Sequence, residues 1–422
     1  MRWPEYRLSH LTERFISGGT PSTKIEEYWQ GDIPWITGAD FLDGEVAIGR
    51  RYINKSAVNN SATNIVPKGS ILMVTRTGVG KIAIAPADVA ISQDITGIVP
   101  KSGLSAKYVL SAIRNKMAII LAAQRGATIK GITRKDIEIL PIPLAPPSEQ
   151  RRIVEILDQA DALHKKRAEA DAKAARILPA LFYKMFGDPL TLINSGEGVP
   201  LSELEVDLQN GFACGEKDVE DGVPHLRMNN IDDSGVLNLE LVRTVPLDRD
   251  SERYRLIKRD VLFMGTNSED KIGKTCLFLP PDERTYLFSN HLIRLRVFDS
   301  RITPEYLASF LHLLWSKRFF PSIAKRWVNQ STVAQSSLAA LRIPLPDEKP
   351  LQVFTKAFQN LLSLRAQRVR SGETLDQTFA VLLHRAFTGD LTAKWREAHM
   401  KELLQEMEQQ ARALRTEGAK EI

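Results

Sequence analysis

The stretch "SEDKIGKT" puts Gly273, Lys274 and Thr275 in the order that ends a phosphate-binding loop. In such a loop backbone N–H groups cradle phosphate, the lysine supplies charge and the hydroxyl ligates magnesium. The motif needs a glycine five residues before Gly273, and Ser268 stands there. A matching loop, "TRTGVGKI", follows Gly80 and Lys81 with Ile82, which cannot ligate a metal. Both stretches are expected as hairpin tips carrying basic residues rather than as ATP sites. No Asn-Pro-Pro-Tyr or Asp-Pro-Pro-Tyr run marks an amino-methyltransferase. Pro281-Asp282 and Pro346-Asp347 open like a metal-dependent nuclease site, but no suitably spaced Glu/Asp-x-Lys follows either. The histidines, among them His164, His225 and His291, lack metal-ligand spacing. Cys214 and Cys276 fit incidental thiols in a reducing compartment. No catalytic and no metal-ligating residue is assigned.

What the sequence does contain is itself, twice. "LPIPLAPPSEQRRIVEILDQAD" begins at Leu140, and "LRIPLPDEKPLQVFTKAFQNLL" begins at Leu341, an ungapped offset of 201. Ile142, Pro143 and Leu144 fall on Ile343, Pro344 and Leu345. Ile153, Leu157, Leu163 and Leu181 fall on Phe354, Phe358, Leu364 and Leu382, so apolar positions stay apolar. One inserted residue, Thr388, then brings Gly187-Asp188 onto Gly389-Asp390.

Each copy starts with a proline-rich extended piece, because proline lacks an N–H and biases its predecessor away from helix. A helix follows, from about residue 148 to 185 in the first copy, with Ser148 as a partial N-cap. Its apolar residues, including Ile153, Leu157, Ala160, Ile177 and Leu181, recur at helical spacing, while Asp161, Lys165, Lys166, Arg167 and Glu169 form a solvated face of mixed sign. A helix of that length is roughly 57 Å long and its narrow apolar seam wants a partner, for which the other copy is the obvious candidate.

The preceding segments correspond as well. "DIPWITGAD" (32–40) matches "GVPHLRMNN" (222–230), and "SQD" (92–94) matches "SNH" (289–291). The whole chain is therefore a tandem duplication with a period far longer than that of a solenoid repeat. Pseudo-twofold symmetry within one polypeptide is the expected consequence. In the tail, Leu403, Met407, Ala411 and Leu414 recur at four, four and three and predict an amphipathic helix. Docking of that helix on a partner subunit is the preferred expectation.

The 422 residues suffice for two or three domains, and 43% hydrophobic content suffices for their cores. No apolar run long enough for export or membrane insertion occurs, which points to a cytoplasmic protein. A net charge of +6 and a pI near 9.1 lean toward a polyanionic partner without naming it.

"SGGTPS" (17–22) with "YWQGDIPWITGAD", then "PKGSILMVTRTGVGKIAI", then "ILPIPLAPPSEQRRIVEILDQAD", closely resembles the specificity subunit of type I DNA restriction-modification systems. The resemblance covers essentially residues 5 to 395, and its second half departs from the pattern at "DEKPLQVFTKAF". It implies an α+β fold: two α/β target recognition domains with twisted β-sheets, linked by two long helices packed as an antiparallel coiled coil. The expected division is domain one at 1–145, a central spacer helix at 146–188, domain two at 189–345, a distal spacer helix at 346–390 and a helical tail at 391–422. Such a subunit reads a bipartite site in double-stranded DNA, one half per domain. It binds no cofactor itself: two modification subunits carry S-adenosylmethionine, and restriction subunits carry ATP and Mg. The alternatives are a coiled-coil interaction scaffold with no DNA specificity and, more remotely, an enzyme with a nonstandard site.

Base edges are read mostly by Arg, Lys, Asn and Gln, and phosphates are held by Lys, Arg and hydroxyls. The DNA-contact candidates in the first domain are Arg76, Thr77, Lys81, Gln93, Arg125, Lys130 and Arg134. In the second they are Arg227, Asn229, Asn230, Asn267, Lys271, Lys274, Asn290, Lys325, Arg326 and Asn329. Ile153, Leu157, Leu181, Phe354, Phe358 and Leu382 are the candidates for the helix seam or for subunit docking. Trp35 and Trp327 are read as core or loop anchors.

Overall fold

The computed structural model describes residues 3–42, 44–125, 131–215, 218–328 and 330–418. The chain forms two compact units, one from residues 1–166 with 372–422, the other from the continuous segment 167–371. The tail, expected as a separate segment, thus lies within the first unit.

In the first unit a four-stranded antiparallel sheet is ordered Thr12–Ser17, Ile95–Pro100, Ile71–Val74, Ile82–Ile84. A second sheet is ordered Tyr52–Ile53, Ile33–Ile36, Val89–Ile91, Asn64–Val66, with a parallel pair at its centre. The second unit repeats both. Val206–Asn210, Leu292–Val297, Val261–Met264 and Thr275–Leu277 stand for the first sheet. Arg243–Val245, Val223–Leu226 and Leu287–Phe288 stand for the second, again with a parallel pair. The strand runs "ILMV" (71–74) and "VLFM" (261–264) are apolar at every position because both of their faces are covered, and all eight residues are buried.

A helix packs on the first sheet in each unit, Ala106–Asn115 in one and Pro304–Ser316 in the other. Ser105 and Thr303 cap these helices, their hydroxyls accepting from the N–H of Tyr108 and Tyr306. Those tyrosines then do the same task twice. The Tyr108 hydroxyl donates to the Pro143 carbonyl at 2.7 Å, and Tyr306 donates to that of Pro344 at 3.0 Å. The proline-rich entries are thereby tied to the cores, and both are extended as expected: Pro141–Pro143 pairs with Glu5–Arg7, and Arg342–Ile343 with Val199–Pro200.

The central helix runs Pro147–Ala175 and resumes as Ile177–Phe186; the distal helix runs unbroken over Glu348–Thr388. The expected single helix over 148–185 is therefore interrupted at Arg176. Pro179 has no N–H for the Ala175 carbonyl, and the turn before it tightens so that Arg176 N bonds Lys173 O at 3.2 Å. Ser148 is not the cap either. Pro147 occupies the first turn, where its fixed φ suits a helix start, and the Ser148 N–H donates to Glu406 at 2.8 Å.

Within each unit the two helix segments run antiparallel. In the first, Ile153 and Leu157 share a core with Ala386 and Phe387, and the His164 ring meets Phe379 edge-on at 5.3 Å. In the second, Asp171 accepts from Arg368 at 2.7 Å and Arg167 donates to Ser371 at 3.1 Å, while Phe182 packs edge-on to Phe354 with centroids 5.7 Å apart. Residue numbers rise on one helix as they fall on the other.

The tail forms Ala393–Ala398 and Met400–Gly418. It docks on this chain, which corrects the preference for a partner subunit: Leu403 is buried, and Leu414 packs against the core of the first unit. Glu149, at the start of the central helix, anchors it. Its carboxylate accepts from Arg396 Nε at 2.8 Å, from the Thr392 hydroxyl at 2.6 Å and from Trp3 Nε1 at 3.0 Å.

Candidate nucleic-acid interface

In both units, functional residue types collect where the strands of the two sheets end side by side. In the first unit the loop after Thr12–Ser17 crosses the end of Val89–Ile91, and Gly19 N donates to Ile91 O at 2.9 Å. In the second the loop after Val206–Asn210 crosses the equivalent strand, with Phe212 N on Phe288 O at 3.3 Å. The crossings are so close that a Cβ on Gly18 would collide with the Ser92 carbonyl, and one on Gly211 with that of Ser289. Glycine is required at both places by backbone approach, which gives the "SGGTPS" run a physical meaning.

The hairpin tip after Ile71–Val74 lies beside this crossing, since Thr75 N bonds Asp94 O at 2.7 Å. It exposes Arg76 and Thr77, and Thr77 takes φ +48°, a left-handed conformation that a β-branched residue rarely adopts. Arg125 joins them: Gly131 bridges to both Arg76 and Arg125, and Ile132 N donates to Thr75 O at 2.9 Å. Lys81 is exposed and donates to Gly38 O at 3.0 Å, while Gln93 accepts from Thr20. Arg76, Thr77, Lys81, Gln93 and Arg125 therefore share one end of the first unit. Arg134 is exposed, pairs with Glu138 at 2.6 Å and lies 5.1 Å over the Phe15 ring. Lys130 lies outside the described residues.

The same end of the second unit holds a cavity of about 190 Å³, lined by Phe212, Cys214, His225, Arg227, Asn290 and His291 among others. Burial, and then the nearby Arg227 charge, lower the His291 pKa, which favours a neutral imidazole at the cavity wall. Asn290 is exposed, and Lys271 is exposed on the adjoining hairpin tip. Gly265 N reaches His291 O at 2.9 Å and leads into Thr266–Asn267, the edge of a three-stranded ribbon with Ser331–Thr332 and Lys325–Arg326. Arg326 pairs with Glu269 at 2.9 Å. Asn229 donates to Leu241 O at 2.7 Å from an exposed position.

Two candidates are corrected outright. Asn230 is buried: its Oδ1 accepts the Arg227 N–H at 2.8 Å, and its Nδ2 donates to Asn238 O at 2.7 Å. Asp40 occupies the equivalent turn in the first unit and accepts the Thr37 N–H at 2.8 Å, so in both units the side chain at this position is spent on capping a turn. Lys274 is also buried, paired with Asp233 and lying 5.4 Å over the Trp315 ring. A duplication offset that aligns with a polar side chain is not evidence of exposure. Asn329 lies outside the described residues.

Trp35 is a core anchor as expected, its indole N–H donating to Gly19 O at 3.2 Å. Trp327 is not. It stands 60% exposed at a hairpin tip, beside Val328, which is 99% exposed.

The seam residues also divide. Ile153, Leu157, Phe354 and Phe358 are buried in the cores of their own units, and Leu181 and Leu382 pack against those cores, so none of the six presents an open docking face. Leu163 and Leu364, which are duplication equivalents, are instead 54% and 51% exposed. Each lies six residues past a buried seam residue, roughly 240° around the helix, so a helical wheel would have separated them.

Among the described residues no group of three or more His, Cys, Asp or Glu could hold a metal, and no helix is long and apolar enough to cross a membrane.

Residues 2–170 match the family described as the type I restriction modification DNA specificity domain. The MjaIX specificity subunit of Methanocaldococcus jannaschii is 34% identical over 218 residues, 50% of this chain and 49% of that one. The EcoR124I/EcoR124II specificity subunit of Escherichia coli is 33% identical over 36% of this chain and 39% of that one. These alignments span half or less of the relatives' length. The MjaVIII specificity subunit of M. jannaschii aligns over 93% of both chains at 22% identity. Among solved structures, the S subunit of a type I restriction-modification system from M. genitalium superposes over 92% of this chain and 96% of its own, with TM-score 0.50 at 15% identity. A chain from a type I R-M system solved for complex assembly and conformational transition gives 0.53 at 16% identity, over 92% of this chain and 98% of its own. Residues 2–170 thus match the DNA specificity domain of type I restriction-modification systems, and the chain has the fold of these solved S-subunit structures over nearly its whole length.

Proposed function

We propose that this chain is the DNA-reading subunit of a type I restriction-modification complex, each unit reading one half of a bipartite site in double-stranded DNA. The observation that carries the reading is the repetition of one arrangement in both units: a glycine crossing, a hairpin tip and a second ribbon or bridge that bring Arg, Lys, Asn or Gln to the same end of equivalent sheets. Duplicated scaffolds with diverged tips suit two half-sites of different sequence. In the first unit Arg76, Thr77, Lys81, Gln93 and Arg125 make the contacts; in the second Arg227, Asn229, Asn267, Lys271, Asn290, Lys325 and Arg326 do. Arginine or lysine pairs best with guanine and asparagine or glutamine with adenine, in the major groove.

The chain contributes recognition and assembly, not bond-making. Two modification subunits supply adenine methylation with S-adenosylmethionine, and restriction subunits supply ATP- and Mg-dependent translocation and cleavage. Leu163 and Leu364, alike in sequence position and both open, are the equivalent apolar contacts for the two modification subunits.

Exchanging residues 189–345 for the same segment of a relative tests this. Sequencing of the methylated sites made in cells with the cognate modification subunit is expected to show one half of the motif changed and the other kept. A motif altered in both halves, or no methylation with either chain, would refute the modular reading.

A further inference from the structure

The tip of the ribbon in the second unit carries its two apolar side chains outward. Lys325–Arg326 pairs antiparallel with Ser331–Thr332, and Trp327 N closes the turn on Gln330 O at 2.7 Å. Beyond the strands stand Trp327 and Val328, 60% and 99% exposed. The Lys325 ammonium lies 4.7 Å from the Trp327 ring centroid and steadies the indole from one side. A solitary exposed leucine would need no explanation, but an indole and an isopropyl group side by side at the point of a hairpin do.

We propose that Trp327 and Val328 form a wedge that enters a base step of the duplex in the second half-site, unstacking it and kinking the DNA. The inference rests on the DNA-reading function above and adds a reading mode to it. Proteins that insert apolar wedges between base steps combine them with Arg, Lys, Asn or Gln side chains that engage the groove. Here Lys325 and Arg326 precede the wedge on the same strand. Asn267 sits on the far strand of the same ribbon. Two cations beside the apolar tip match a polyanionic duplex by charge, which favours DNA as the occupant. Such a wedge selects flexible pyrimidine–purine steps through their low cost of unstacking, a form of readout that needs no base-edge hydrogen bond.

The experiment uses the full chain assembled with its modification subunits and duplexes in which 2-aminopurine is stepped through the mapped second half-site. With the unsubstituted chain, fluorescence rises several-fold at one step. Trp327→Ala with Val328→Ser abolishes that rise and weakens specific binding on the order of tenfold, as loss of an aromatic stack does. Trp327→Phe retains most of both signals, which separates a wedge from a folding requirement. An unchanged 2-aminopurine signal and affinity in the double variant would overturn the wedge. So would loss of assembly with the modification subunits, because the tip would then be a protein contact. Absence of specific binding by the unsubstituted chain would overturn the DNA reading itself, and is distinguished by its failure before any substitution.

Discussion

Arg396→Ala should release the tail. Glu149 is fully buried and Arg396 is 7% exposed, so the carboxylate depends on protein donors alone. The substitution removes the Nε–H bond to Glu149 Oε1, the Nη2 bond to the Gly389 carbonyl at 2.6 Å and the guanidinium stacked 5.0 Å from Trp3. Thr392 and Trp3 still donate to Glu149, but no cation balances it. Breaking a buried pair by removing one partner costs about 3–5 kcal/mol, most of it the stranded charge. If that cost falls on local opening of the tail, the open population rises on the order of a hundred- to a few-thousand-fold. Limited proteolysis under conditions where cleavage is slow compared with reclosing reads that population directly. The control is Glu149→Met with Arg396→Met: two apolar groups of similar volume remove both charges and should recover most of the protection. Cleavage of Arg396→Ala within about fivefold of the unsubstituted rate would refute the argument, as would a double variant no better than the single one.

The second unit should weaken in acid through His312. Burial pushes its pKa down to about 4 from an ordinary 6.5, with Asp232 and Lys274 the nearby charges. The unfolded chain therefore binds a proton that the native state refuses, so stability is intact above pH 6.5 and falls as pH drops toward 4, by about 3 kcal/mol if the whole shift is realised. His312→Gln should flatten that limb in urea titrations across the window; an unchanged slope would remove His312 as its source. Leu163→Asp and Leu364→Asp, at half-exposed positions, should leave melting within a few degrees of the unsubstituted chain while each weakens capture of a modification subunit in size-exclusion chromatography. Leu157→Asp, fully inside the first unit, should instead unfold that unit, which circular dichroism would show. Arg125→Ala should weaken DNA binding roughly equally for all sequences and reduce the slope of log affinity against log salt by about 1 if it holds a phosphate; a shifted motif with an unchanged slope would mean that it reads a base.

The duplication was legible because helix seams constrain residue type at every third or fourth position, and the offset of 201 survives from the proline-rich entries into the helices. The extended entries, both hairpin tips and the tail helix follow from local rules that need no tertiary context. What the sequence hid was burial. Asn230 and Lys274 carry the residue types that read bases, yet one caps a turn and the other neutralises Asp233. Nothing in a linear pattern separates an asparagine that faces DNA from one that faces its own backbone. Pro179 was visible and did interrupt the helix, because the lost donor lies in its interior rather than in its first turn. Glu149 had no signal at all: its duplication equivalent is Pro350, and its donors come from positions 3, 392 and 396, so only the folded chain brings them together.

That asymmetry between equivalent positions accompanies a difference in how the two units are drawn from the chain. The second unit is one continuous segment, 167–371, and the described residues of its two cores all come from that segment. The first unit is split, and its core takes Phe379, Leu382, Ala386 and Phe387 from the distal helix and Leu414 from the tail. Its contacts therefore close loops of more than 200 residues, which raises their entropic cost only slowly with length but delays them until the distal helix exists. A buried carboxylate that two distant parts of the chain must satisfy suits such a junction. It is costly when any one donor is missing and cheap when all are present, so the tail docks in one position, and the unit gains its last contacts only from a chain whose distal helix and tail have folded back onto residues 3 and 149.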